Sequence, residues 1–141
     1  MSRIYWDTNL FIYLHEGHPA FGPRIKRIYE ELIARNDTLC TSVFTVGEAL
    51  TLPLRMKDEA AIAAINDSML SGEVELLPFT LAMAQRYGKI RAVSTLKAAD
   101  ALHLATAIES KASLFVTNDN QLQRLRVPDK PFTVGLDGKL F

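Results

Sequence analysis

The sequence predicts an α/β protein: a three-layer α/β/α arrangement around a central parallel sheet of four to five strands. Three observations carry this expectation. Short β-prone runs alternate with helical patterns from end to end, which places parallel strands between two helical layers. The run Leu114 to Thr117 opens with three successive apolar residues, Leu114-Phe115-Val116, as a strand covered on both faces requires. Elsewhere the long apolar patterns step by three and four, as in Ile25, Ile28, Tyr29, Leu32 and Ile33, which trace one helical face.

The elements follow in order. Arg3 to Asp7 reads as the first strand, closed by the turn-prone Asp7-Thr8-Asn9. Leu10 to His15 begins a helix that the Gly17 to Pro23 stretch breaks, leaving His15 and His18 as loop residues. A second helix covers Arg24 to Asn36, with Lys26, Arg27, Glu30, Glu31 and Arg35 on its polar face. Thr38 to Thr41 is the second strand. The helix after it starts at Ser42 or Thr45 and ends before Pro53. Asp58 caps a helix that turns Ile62, Ile65 and Met69 inward and stops at Ser71-Gly72. Glu73 to Pro78 is the third strand. Thr80 caps a helix with an apolar line of Leu81, Ala84, Tyr87 and Ile90 or Arg91. An alanine-rich helix runs from Lys97 to Lys111, the fourth strand from Leu114 to Thr117, and a short helix from Gln121 to Leu125. Pro131 to Val134 fits a fifth strand at an edge, where proline is tolerated.

With 141 residues, 48% of them apolar and 23% charged, the chain has the balance of a globular domain with a real core. There is no repeat, low-complexity tract or linker, so residues 1–141 are expected to form one domain. Sixteen basic and sixteen acidic residues cancel. That argues against a protein that coats nucleic acid non-specifically, but not against a local basic cluster. Cys40 is the only cysteine, which excludes internal disulfides and thiolate metal clusters and suits a small buried strand residue. Polar breaks in the first twenty residues argue against a signal peptide. No apolar run reaches the ~20 residues of a membrane helix, so no membrane role and a cytoplasmic location are expected.

Four acids occupy similar structural addresses. Asp7 and Asp119 each follow a β-prone run, and Glu48 and Asp100 lie in the first turns of predicted helices. In an open α/β sheet such positions gather outside the carboxyl ends of the strands. Carboxylates collected there repel one another unless a cation sits between them, and a divalent metal ion is the simplest candidate. Each acid also has a plainer explanation. Asp7 suits a turn or N-cap, Glu48 completes the Thr45-Val46-Gly47-Glu48 capping-box pattern, Asp100 suits a solvated helix face, and Asn118-Asp119 suits a cap. The joint pattern favours a site, and so does Asp100 standing among Ala98, Ala99, Ala101 and Leu102.

The same stretches carry a resemblance. Ile4-Tyr5-Trp6-Asp7-Thr8-Asn9 resembles the first-strand signature of PIN-domain ribonucleases, and Thr45-Val46-Gly47-Glu48-Ala49 resembles the segment bearing their glutamate. Ala98 to Ala107 is similar to their third signature, and Leu114 to Asp119 to the fourth, in which a strand runs into Thr-Asn-Asp. All four occur in order, and the compact length resembles the VapC toxins of toxin–antitoxin pairs. The resemblance implies a PIN-like fold, Mg²⁺ or Mn²⁺ as cofactor, RNA as substrate and phosphodiester hydrolysis. It gives Asp7 and Asp100 the central metal role, with Glu48 and Asp119 acting through metal-bound waters. Asn9, Thr117 and Asn118 are supporting residues that position water or phosphate. A cognate antitoxin and homodimerisation are further implications.

Other readings remain open at this stage. A receiver domain wants two adjacent early acids, and a haloacid-dehalogenase-like phosphatase wants an aspartate where Asn9 stands. A non-catalytic PIN-like module that binds RNA or protein is the alternative within the same fold. His103 follows Asp100 by three residues and shares its helix face, so metal ligation competes with an ordinary buried, hydrogen-bonded role. Arg86, Lys89, Arg91 and Lys97, or Arg24, Lys26 and Arg27, are candidate phosphate-backbone contacts, against the plainer reading of a solvated helix face. Phe11, Tyr13 and Phe44 are expected in the core.

Overall fold

The computed structural model describes residues 2–136. Its five strands are β1 (Arg3–Trp6), β2 (Thr38–Ser42), β3 (Glu75–Leu77), β4 (Leu114–Val116) and β5 (Phe132–Val134). They form one wholly parallel sheet in the order β3-β2-β1-β4-β5. Seven helices lie among the described residues: α1 (Thr8–Glu16), α2 (Gly22–Ala34), α3 (Phe44–Arg55), α4 (Glu59–Leu70), α5 (Leu81–Val93), α6 (Ala98–Glu109) and α7 (Asn120–Arg124). The three-layer α/β/α expectation and its five-strand upper count hold.

The layers follow from strand alternation, because successive side chains of a strand point to opposite faces. Ile4 and Trp6 join Leu10, Phe11, Ile25, Leu32, Ala49, Ile65 and Met69 in the core beneath α1 to α4. Tyr5, between them, joins Phe115, Ile90, Leu104 and Leu122 in the core beneath α5 to α7. Register places Tyr5 beside Cys40 on one side and Phe115 on the other. Cys40 is buried there, and burial pushes its thiol up to about 12. β1 is therefore the centre of the sheet and the point where strand order reverses between β1 and β4, the usual place for a ligand crevice.

Local chemistry sets most boundaries. Gly17, at φ 64°, closes α1 in the left-handed conformation. Asp58 accepts from the Ala61 N–H at 3.1 Å to start α4. Three expectations need correction. α3 does not stop before Pro53 but carries it in its last turn. The proline removes one ladder bond there, and the Met56 N–H to Leu52 carbonyl bond, at 2.9 Å, continues the helix past it. α5 buries Met83 and Ile90 rather than Leu81 and Ala84, which are exposed. Its apolar residues are spread around the helix, so packing on α6 chose the face. A half-buried Arg86 fixes that choice by pairing with Glu109 at 2.8 Å. His15 belongs to the last turn of α1 rather than a loop, and burial holds its pKa below the ordinary value.

Among the described residues no helix is long and apolar enough to cross a membrane. Phe115 is fully buried and stacks on Tyr5 with ring centroids 5.2 Å apart. Phe115→Ala is expected to cost about 3–5 kcal/mol of stability in urea unfolding, because it opens a cavity at the sheet centre.

Candidate active site

The four acids leave four different elements and meet at the carboxyl edge of the sheet. Asp7 follows β1 directly and caps α1. Its backbone N–H still pairs with the Val116 carbonyl at 3.0 Å, so the sheet fixes its position. One carboxylate oxygen accepts from the Thr8 N–H and the other from the Thr117 hydroxyl, both at 2.8 Å. The Thr117 oxygen in turn accepts from the Asp119 N–H at 3.1 Å. One buried hydroxyl thus joins the ends of β1 and β4 and ties two acids together. Asp119 caps α7 by accepting from the Leu122 N–H at 3.1 Å, so the capping role foreseen for it is real and coexists with its place in the site.

Glu48 is not a helix cap. α3 begins at Phe44, one residue before Thr45, and no capping-box bond forms. Instead Thr45 and Thr41 turn inward. The Thr41 hydroxyl donates to the Trp6 carbonyl at 2.9 Å and lies 2.7 Å from Thr45 Oγ1, which is 3.1 Å from Thr8 Oγ1. Glu48 Oε1 receives the Thr8 hydroxyl and stands against His103 Nε2, both at 2.6 Å. On its other side His103 Nδ1 is 2.6 Å from the Tyr5 hydroxyl, whose oxygen accepts the Ser42 N–H at 3.1 Å.

This network assigns the histidine tautomer. Burial raises the Tyr5 phenol far above its ordinary pKa, so it keeps its proton and donates to Nδ1. The Nε2–H then faces Glu48. Burial alone would raise the Glu48 pKa, but hydrogen bonds from His103 and Thr8 outweigh it and hold the carboxyl below its usual value. His103 is fully buried with both ring nitrogens engaged, so the ordinary hydrogen-bonded reading prevails over metal ligation.

Asp100 stands in the first turn of α6, half-buried. Burial raises its pKa, and the charges of Asp119, Asp7 and Glu48 raise it further, against an opposing effect of His103. Asp100 is therefore within electrostatic reach of the other three predicted acids. Asn9 is exposed and Asn118 half-buried, whereas the Thr117 hydroxyl is already committed to Asp7 and Asp119.

A hard divalent cation fits this donor set. The converging groups are carboxylate oxygens, and Asp100 is held partly desolvated among three acids, with no lysine or arginine paired to it among the described residues. Among the described residues no three His, Cys, Asp or Glu side chains already stand in coordinating geometry. Such a donor set suits an ion that brings several of its own waters, as Mg²⁺ does.

A family model for the PIN domain matches residues 4–128, most of the chain and a range that includes all four acids. The chain belongs to the PIN-domain family. No curated protein matches its sequence. Among solved structures it is similar to VapBC2 from Rickettsia felis, bound to a promoter DNA fragment, at 22% identity and TM-score 0.76, over 94% of this chain and 98% of that one. It is also similar to the sarcin–ricin loop-cleaving toxin VapC20 of Mycobacterium tuberculosis (22% identity, TM-score 0.64, 79% and 86% covered). A toxin–antitoxin complex from Klebsiella pneumoniae gives 21% identity and TM-score 0.65 over 94% and 97% of the two chains. At these identities the likeness is one of fold.

In this PIN domain the residues that sequence reasoning missed are the supports: Tyr5, Thr8, Thr41 and Thr45. The signal for Tyr5 was its odd-numbered place between Ile4 and Trp6, which sends its hydroxyl to the opposite face. Tyr5→Phe leaves the Ser42 N–H and His103 Nδ1 without their partner, so a loss of about 1–3 kcal/mol is expected in urea unfolding.

Stability should also report the charge cluster. A carboxyl whose pKa is raised on folding contributes stability below the unfolded carboxylate range and loses it as pH rises through the folded value. Asp100→Asn removes that loss. Without divalent ions the variant is expected to melt about a degree or two above the parent at neutral pH, the gap closing towards pH ~4. A variant that melts lower at neutral pH would contradict the repulsive arrangement.

Proposed function

We propose that the protein is a metal-dependent endoribonuclease of the VapC type that uses Mg²⁺ or Mn²⁺. The observation that carries this is the convergence of acids from four elements on Asp100, with Asp119, Asp7 and Glu48 all raising its pKa. Membership of the PIN family and likeness to toxin structures support it.

In this reading Asp7 and Asp100 would hold the ion directly, and Glu48 and Asp119 would act through its waters. When bound, the ion lowers the pKa of a water and neutralises charge on the phosphate oxygens. The chain's own residues keep the carboxylates in place. Thr8 and Thr117 orient Asp7, and His103 and Thr8 keep Glu48 ionised and aimed. Asn9 and Asn118 stand beside the acids in sequence and position water or phosphate; Thr117 acts through the acids it ties. The cellular reading is a toxin held in check by a cognate antitoxin whose inserted segment covers the acids, with the toxin as a homodimer.

Incubating the purified chain with total RNA and mapping the new ends tests the chemistry. Cleavage is expected with Mg²⁺ or Mn²⁺, is lost in EDTA, and falls on the order of 10²-fold or more in Asp7→Asn and Asp100→Asn. Unchanged cleavage by Asp100→Asn sinks the assignment. Expression alone should arrest growth, and a co-expressed partner should relieve it.

A further inference from the structure

Phe44 was expected in the core, yet it is 42% exposed, and Phe79 is 40% exposed. The two leave the sheet side by side. The Val43 N–H bonds to the Leu77 carbonyl at 2.9 Å, so β2 and β3 stay paired up to the points where Phe44 and Phe79 emerge. Together with Tyr87 of α5 and Ala98, Ala99 and Leu102 of α6 they line an open groove of about 270 Å³. That is below the ~300–1,000 Å³ of sites for drug-sized ligands, and it suits one planar ring system.

This groove continues the acidic site. Ala99 precedes Asp100 on α6, and Phe44 lies one turn before Glu48 on α3. The Phe44 ring is 6.0 Å from the His103 ring that holds Glu48. Cations border it. Arg91 stands 5.8 Å from the Tyr87 ring centre and donates to the Tyr87 hydroxyl at 3.0 Å. Lys97 is exposed immediately before the groove residue Ala98, and neither it nor Arg91 enters an ion pair among the described residues. Aromatic faces beside a phosphate-handling site, with free cations at the rim, match the way unpaired bases are held: the base stacks and the backbone meets the positive charge.

The geometry points to a nucleobase shelf: Phe44, Phe79 and Tyr87 enclose an unpaired base of the RNA next to the scissile phosphate, the base stacking on one ring and meeting the edge of another, since Phe79 and Tyr87 stand at 90° to each other, while Arg91 and Lys97 hold the adjoining backbone. The shelf rests on the ribonuclease reading and adds to it the requirement for a single-stranded or flipped-out nucleotide beside the cut.

Binding measured apart from cleavage separates the two claims. The full chain carrying Asp100→Asn is titrated in Mg²⁺ with short single-stranded oligoribonucleotides by fluorescence anisotropy. Phe44→Leu and Tyr87→Leu are added singly, with thermal melts to establish folding. Each is expected to weaken binding on the order of tenfold. One abasic position in the oligonucleotide should weaken the Asp100→Asn chain by a similar factor and the groove variants little further. Photocrosslinking of 4-thiouridine RNA to the otherwise unsubstituted chain should map to Phe44, Phe79 or Tyr87, a readout that does not depend on how the variants fold. Full affinity in both groove variants, a flat abasic scan or crosslinks only elsewhere each overturn the shelf. If the same substitutions release a bound protein partner while RNA binding is unchanged, the groove is a protein site and the proposal fails. Absence of RNA binding by the Asp100→Asn chain and by the unsubstituted chain overturns the ribonuclease reading as well.

Discussion

Four like charges at one sheet edge repel one another, and the surrounding chain is arranged around that cost. Each acid is supported differently. Asp7 has a donor on both oxygens, Glu48 is bonded by a hydroxyl and an imidazole, and Asp119 accepts a helix N–H. Asp100 has the least support among the described residues, and its pKa is pushed up. A charge left short of compensation inside a half-buried site is a place where the chain gives up stability. An external cation at that position would recover the loss, which is why the imbalance itself is informative about function.

The supports are built from strand alternation. β1 sends Ile4 and Trp6 into one apolar core and Tyr5 into the other. The phenol then spans the second core to reach Ser42 and His103, so a residue that looks like packing in the sequence carries a polar connection from β2 to α6. A slip of one residue in β1 would exchange the faces and strand both Trp6 and Tyr5. The same strand that makes the core therefore fixes the histidine, and through it Glu48.

Much of this was legible in the chain. Alternating strands and helices gave the layers, and Asp7, Asp100 and Asp119 could be placed at one edge because each sits just after a strand or at a helix start. What could not be read depended on partners distant in sequence. The Thr45 to Glu48 spacing suggests a capping box, but Glu48 is drawn instead to His103, 55 residues away. α5 has apolar residues on every side, so only its contact with α6 decides that Met83 and Ile90 go in and Leu81 stays out. Phe44 looked like core because phenylalanine usually is; its exposure depends on where β2 ends.

Rigidity is the remaining condition for such a site, since carboxylates must already stand in place when an ion and a phosphate arrive. The buried hydroxyls supply it. Thr41, Thr45, Thr8 and Thr117 each have partners: Thr41 donates to the Trp6 carbonyl, Thr8 donates to Glu48, and the Thr45 hydroxyl between them donates to one of the two. A buried polar network with every member satisfied holds a single arrangement, whereas one with a gap is worse than an apolar core. Thr117 adds the tie between β1 and β4. Because those strands flank the reversal of strand order, the crevice where a ligand would lie is braced by the same hydroxyl that orients Asp7. Loss of that brace would move two acids at once, so the threonine's effect on the site exceeds what a single hydrogen bond contributes to stability.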